Sequence, residues 1–419
     1  MRPHLPTILA VLALAAMVAM PVSAQLQLPR LPNVGGVIGN ATGMLEDTLE
    51  SADRLTAREA RRLLRVRDQT LARLLRQNSD VIERDMRGNL ARRGELLAIE
   101  PSATQVAHLE ASGFRLLGTE RIEGLDIAVV RLGIPTDQSL AEAQARAAEI
   151  VPELELSADH LHFAAGQTTA TSAFPPLTLS LATAQAAPIT APVGIIDGAP
   201  GKAVPVAAVK GFAEGAPFAS DHGSAVASLL RAGGMQTIRV ADVYGQDPAG
   251  GNALAISRAL GWLSASGCKV VTISLVGPRN SLVERAVKAA RARGIIVVAA
   301  VGNDGPAAPP AYPASYEGVL AITGADRKGR ALIEAGRALH LDYAAPGADV
   351  YAFDAKGRGK LWRGTSFATP LAAARVAAAL PSGKSWRATL EAEARDLGPK
   401  GADETFGRGL LCGGCGKKK

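Results

Sequence analysis

Between residues 192 and 323, short apolar runs alternate with helix-forming stretches, and this alternation constrains the fold more than any other feature of the chain. Pro192 to Ile196, Lys269 to Leu275, Ile295 to Val301 and Val319 to Thr323 are rich in Val and Ile, without the polar alternation of a half-exposed strand. Such runs belong in a parallel sheet that is buried on both faces. Helical stretches separate them, among them Gly223 to Leu230 and Ser281 to Arg293. The expected fold is therefore α/β, a parallel sheet with helices on both faces and a site at the carboxyl edge of the strands.

The rest of the 419 residues suggests further units, about three domains by length. Residues 1–24 read as a signal peptide: Arg2 and His4 precede an apolar run from Ile8 to Met20, and Val22-Ser23-Ala24 supplies a cleavage signature. The run is short for a membrane span, so a soluble exported protein, periplasmic or secreted, is expected, with no transmembrane span. Residues 25–93 hold a loop rich in Pro and Gly and then a helical segment from 44 to 93, with 12 Arg and a Thr56-to-Glu59 capping box. A solvated face of a helical hairpin is the preferred reading there, with a partner- or membrane-binding helix as the alternative.

Residues 94–163 spell a strand from Glu95, a helix capped by Ser102, a hairpin around Glu123-Gly124, a helix capped by Ser139 and a last strand from Glu153 to Phe163. The order β-α-β-β-α-β is that of a small ferredoxin-like α+β domain. Residues 164–190 are uncharged and rich in Ala, Thr, Ser and Pro, a linker by composition. Residues 191–411 carry the α/β pattern, and 412–419 form a Cys/Gly/Lys tail.

Four local sequences carry chemistry: Ile196-Asp197-Gly198, Asp221-His222-Gly223, Gly302-Asn303-Asp304 and Gly364-Thr365-Ser366. A serine hydroxyl is a weak nucleophile near neutral pH unless a base takes its proton, and His is suited to that task. A carboxylate then holds the imidazole in the useful tautomer. Ser366 reads as nucleophile, His222 as general base and acid, and Asp197 as the group that orients His222. Ser366 opens a helix, whose first N–H groups are free to face an oxyanion, and the Asn303 side chain would be the second donor.

Together these motifs, in the order Asp, His, Asn, Ser, resemble the subtilisin-like serine proteases over roughly residues 190–411. The resemblance implies a serine endopeptidase that acts on protein or peptide substrates through an acyl-enzyme on Ser366. It implies a substrate-pairing edge at Ser274, Leu275, Val276 and Gly277. The 94–163 unit is similar to the propeptide of such enzymes, a folding aid and inhibitor, which makes the chain a zymogen. Its charge of −8, from 4 basic and 12 acidic residues, opposes the +10 of residues 164–419, from 28 and 18, and favours docking. Val276 stands where the family has a smaller residue, so a small or medium residue is expected before the cut bond. Self-cleavage is expected between Phe163 and Ala191, nearest Phe163-Ala164, because an extended segment leaving the inhibitor-like unit is placed to lie along the Ser274-Leu275 edge, with tethering offsetting a poor fit there.

No nucleotide or redox cofactor and no metal is implied. Structural calcium, common in that family, stays open, since no D-x-D-x-D-G loop is present. Asp159-His160-Leu161-His162 has the look of a metal motif, but strand-end packing is the preferred reading. The basic residues of the α/β part are scattered among few aromatics, so nucleic acid is not an expected partner. Cys268 reads as a buried apolar residue, and Cys412 with Cys415 as a short-range disulfide. Two rivals remain: a catalytically silent binding protein, and a peptide ligase or cyclase on the same residues.

Overall fold

The computed structural model describes residues 41–165, 167–168, 189–382 and 385–412, with side chains from residue 57 onward except at 167–168. The expected signal peptide, most of the linker and the Gly/Lys end of the tail lie outside the described residues. A helix α1, Ala41–Gln77, runs unbroken through the Thr56-to-Glu59 sequence. The expected helix to residue 93 and its hairpin are therefore corrected. Residues 82–93 form a β-hairpin instead: β1 (Ile82–Arg84) pairs antiparallel with the start of β2 (Leu90–Ile99) across a turn at 85–89. The reason lies in β2, where every residue from Leu96 to Ile99 is buried, so the strand is held by the sheet's core.

The small domain continues with α2 (Ala103–Ala111), β3 (Arg115–Ile122), β4 (Ile127–Gly133), α3 (Leu140–Ile150) and β5 (Glu155–His160). Its four long strands lie in the order β5-β2-β4-β3, all antiparallel. Both helices start where the sequence places them. Ser102 with Gln105 and Ser139 with Glu142 form capping boxes, each pair satisfying two otherwise free N–H groups. Leu109 of α2 and Leu140, Ala143 and Ala147 of α3 pack on Leu96, Ala98, Val130 and Leu132.

Two short strands follow, β6 (Phe163–Ala164) and β7 (Gln167–Thr168), so the first residues of the expected linker are extended and paired. The α/β domain then runs β8 (Val193–Asp197), β9 (Ala208–Gly211), α4 (Asp221–Ala232), β10 (Ile238–Asp242), α5 (Ala253–Ala265), β11 (Val270–Ile273) and β12 (Leu275–Val276). It continues with α6 (Ser281–Ala292), β13 (Ile296–Ala300), β14 (Leu320–Ala325), β15 (Tyr343–Pro346), β16 (Val350–Phe353), β17 (Gly359–Arg363), α7 (Thr365–Ala379) and α8 (Trp386–Glu393).

Seven strands form one parallel sheet in the order β15-β14-β13-β11-β8-β10-β9. Successive residues alternate faces, as strand geometry requires. Val193 and Ile195 pack with α4 and α7, while Ile196, Val271 and Val297 pack with α5 and α6. This is the α/β fold expected for residues 191–411, helices covering both faces of a buried sheet. Cys268 is a free, buried thiol whose pKa burial pushes up to about 11, and Cys412 is disulfide-bonded.

Candidate active site

The carboxyl end of β8 delivers Asp197 and the first turn of α4 delivers His222 beside it. Two glycines make the approach feasible: a Cβ on Gly223 would fall 2.0 Å from the carbonyl oxygen of Gly198. Each lies one residue beyond a site side chain, so Asp-Gly and His-Gly mark where two backbones touch. His222 Nδ1 lies 2.9 Å from both Asp197 oxygens, and Asp197 is 1% exposed. Asp197 Oδ1 also accepts the Gly198 N–H at 2.7 Å. The carboxylate thus leaves Nε2 as the free face of the ring. Nε2 is buried and makes no hydrogen bond among the described residues.

Ser366 is the second residue of α7 and fully buried. Its hydroxyl donates to the carbonyl oxygen of Ser274 at 3.3 Å, and the Ser274 hydroxyl donates to the Ser366 carbonyl oxygen at 3.0 Å. The Ser366 N–H, free of helix partners at this position, donates to the carbonyl oxygen of Ala165 at 3.1 Å. Asn303 Nδ2 donates to the same oxygen. The orientation of that amide is set from its other end, since Oδ1 accepts the Thr365 N–H at 3.0 Å. Two donors on separate elements therefore converge on one carbonyl oxygen, and it belongs to this chain.

The chain brings that carbonyl in as an added strand. Phe163 pairs with Val276 and Ala164 with Leu275, antiparallel, and Ala165 N–H donates to Ser274 O at 3.0 Å. On the other edge His162 N–H donates to Gly251 O at 2.8 Å, and the Tyr244 hydroxyl donates to His162 O at 3.1 Å. Beyond Ala165, Gln167 and Thr168 pair with Arg363 and Trp362 of β17. Ser274, Leu275 and Val276 thus line the strand by backbone pairing, while Gly277 faces the His162 ring, which a Cβ there would approach to 2.5 Å. Val276 projects toward Gly302, its methyl carbons 3.4 and 3.6 Å from where a Cβ on Gly302 would stand.

This register seats a later residue than Phe163 of the expected Phe163-Ala164 cut at Ser366 and Asn303. Ala165, two residues on from Phe163, holds the position at Ser366 and Asn303. Sequence reasoning missed Ala165, Tyr244 and Gly251; the signal available for Ala165 was the expectation of a small residue, applied to Ala164-Ala165-Gly166.

The Asp159-to-His162 stretch serves the contact between the domains. Asp159 Oδ1 accepts the Leu254 N–H at 2.9 Å, at the start of α5. Burial pushes its pKa up to about 7, against the opposing pull of that N–H and of Arg92. His160 bridges Asp85, 2.8 Å from Nε2, and Asn280, 2.9 Å from Nδ1. Burial pushes the fully enclosed His162 down to about 3, so its ring is neutral, with Nε2 unpartnered among the described residues. Among the described residues no three His, Cys, Asp or Glu side chains are grouped to hold a metal, and no helix is long and apolar enough to cross a membrane.

A model described as the subtilase family matches residues 207–409, a span that begins after Asp197. Subtilisin Savinase of Lederbergia lenta is 31% identical over 205 residues, 45% of this chain and 75% of that protein. An alkaline protease of Shouchella clausii is 31% identical over 205 residues, covering 45% of this chain and 53% of its own length. Among solved structures, fervidolysin from Fervidobacterium pennivorans, a keratinolytic enzyme related to subtilisin, superposes with a TM-score of 0.62 at 16% identity. That superposition covers 77% of this chain and 60% of the other, a likeness of fold.

Proposed function

Since the chain belongs to the subtilase family and is a serine endopeptidase, we propose that it is an exported zymogen whose first substrate is its own Ala165–Gly166 bond. The observation that carries this reading is the Ala165 carbonyl oxygen between the Ser366 N–H and Asn303 Nδ2. Donors placed there act on the charge that develops as a carbonyl becomes tetrahedral.

In this reading Ser366 Oγ exchanges its bond to Ser274 O for one to His222 Nε2, gives up its proton and attacks the Ala165 carbonyl carbon. Asp197 stays ionised and stabilises the imidazolium. His222 passes the proton to the departing Gly166 nitrogen, leaving Ala165 as an ester on Ser366. A water molecule, deprotonated by His222, then releases the acyl group and restores Ser366. Strands β6 and β12 pair through the backbone, which lets the product strand remain bound as an inhibitor after the cut. The opposite charges of the two parts and ion pairs such as Arg258–Glu120 at 2.5 Å and Arg285–Glu155 at 2.6 Å support continued docking. The signal-like first 24 residues support export.

A fluorophosphonate probe tests the reading. Labelling should occur on Ser366, appear only as the proregion leaves, and vanish in Ser366→Ala. A folded, processed chain that never takes the label would favour the silent binding protein.

A further inference from the structure

Helix α1 touches the α/β domain at a place the substrate-like strand does not use. At its carboxyl end Leu71, Leu74 and Leu75 pack with Ile82, Leu90, Leu161 and Phe163. Two turns earlier the helix reaches the loop that carries Asn303. Leu63 lies over Gly305, with Cδ1 only 2.8 Å from where a Cβ on that glycine would stand. Arg67 Nε donates to Asp304 Oδ2 at 3.1 Å. Burial raises the Asp304 pKa, and Arg67 opposes the shift. Ala60 borders a cavity of about 230 Å³ whose wall includes Val301, Pro306, Leu332, Leu339 and Leu341. Ala60, Leu63 and Arg67 are spaced i, i+3 and i+7, which puts them on one face of the helix.

We propose that the surface formed by Asp304 to Pro306 with residues 331–341 is a helix-docking exosite, and that α1 is its occupant. This rests on the reading that the strand ending at Ala165 stays bound after the cut, and goes beyond it by assigning a second anchor. Residues 41–165 are one piece on the amino side of the proposed cut, so α1 and the strand are tethered through the small domain. When the strand lifts off, α1 keeps it at high local concentration and it rebinds before a substrate enters. The fit at the exosite is incomplete. A cavity of this size exceeds the space of a water molecule several-fold, and Ala60 places a single methyl group at its edge. Ile333 and Leu339 remain 58% and 67% exposed with α1 in place. A groove that is paired in charge but underfilled holds the proregion without making its release prohibitively slow.

The test uses the full chain and reads the lag between the cut, by intact mass, and hydrolysis of a small chromogenic peptide. Ala60→Leu extends a side chain into the cavity and should lengthen the lag several-fold, a gain that misfolding does not imitate. Arg67→Glu faces Asp304 with a like charge and should shorten the lag roughly three- to tenfold. Arg67→Glu with Asp304→Arg should restore much of it, with kcat/KM of the fully activated enzyme measured alongside. The proposal is overturned if Ala60→Leu fails to lengthen the lag or if Arg67→Glu leaves it unchanged. The comparison holds whichever bond is cut, and a cut elsewhere than after Ala165 would contradict the proposed Ala165–Gly166 cleavage independently.

Discussion

Ser366 donates its backbone N–H to the carbonyl oxygen of Ala165 at 3.1 Å, so the serine of one domain and an alanine 201 positions earlier share one hydrogen bond (366 − 165). The bond joins the end of a small α+β domain to the first turn of α7. It requires the intervening strand to lie in register along Leu275 and Val276.

Asn303 is the first place to probe. Its amide is fixed by Thr365 N–H and points at the Ala165 oxygen. Asn303→Ala should lower turnover on the order of 10²–10³-fold in a folded enzyme, a magnitude taken from subtilisin. Ser366→Ala should reduce activity to background, and the double variant should be hardly worse, because groups that act on one transition state do not add. Steady-state kinetics on a peptide substrate decides; full turnover in Asn303→Ala would displace the oxyanion site.

Val276 should set the size of the residue before the cut bond. Bulk added against a packed side chain costs about 1–3 kcal/mol, roughly 5- to 150-fold in rate. Peptides ending in Ala at that position should be cleaved faster than those with Phe or Trp, and Val276→Gly should narrow the gap. A cleavage profile of the activated enzyme led by aromatic residues at that position would be the contrary result.

Two buried groups at the contact between the domains, Asp159 and His162, respond to pH in opposite senses. Asp159 is raised from 3.8 to about 7 by burial, so its contribution to docking is full below pH 3.8 and is lost as pH rises through about 7. His162 is lowered from 6.5 to about 3 by burial, so its contribution is full above pH 6.5 and is lost as pH falls toward 3. Between about pH 4 and 6.5 the two trends offset. Release of the cleaved proregion, followed by size-exclusion chromatography, should therefore vary little over that window. Asp159→Asn removes one trend and should leave a complex that loosens as pH falls below 6.5. A flat profile in that variant would contradict the opposition.

The fold was legible where burial and period agreed. The Val- and Ile-rich runs gave the parallel sheet, and Ser102 and Ser139 with their Gln and Glu partners gave the two small-domain helices. The span 78–93 misled because Arg84, Arg87, Arg92 and Arg93 look like a helix surface. Strand β2 is held instead by long-range pairing that no local pattern records. The motif residues Asp197, His222, Asn303 and Ser366 were legible because each sits beside a glycine or helix start that its geometry needs. Ala165 was not, because an added strand is defined by the surface it joins, and Ala-Ala-Gly carries no periodic signal. The reach of α1 to Asp304 was equally hidden, since an Arg on a solvated helix and an Arg on an ion pair look alike in sequence.

The most direct measurement is intact mass with amino-terminal sequencing of the wild-type chain beside Ser366→Ala, both made without other proteases. A self-cleaving zymogen should give a mature chain that begins at Gly166 in the wild type and an uncut Ser366→Ala chain. A Ser366→Ala chain cut at the same bond and rate, or a wild-type cut away from Ala165, would contradict it.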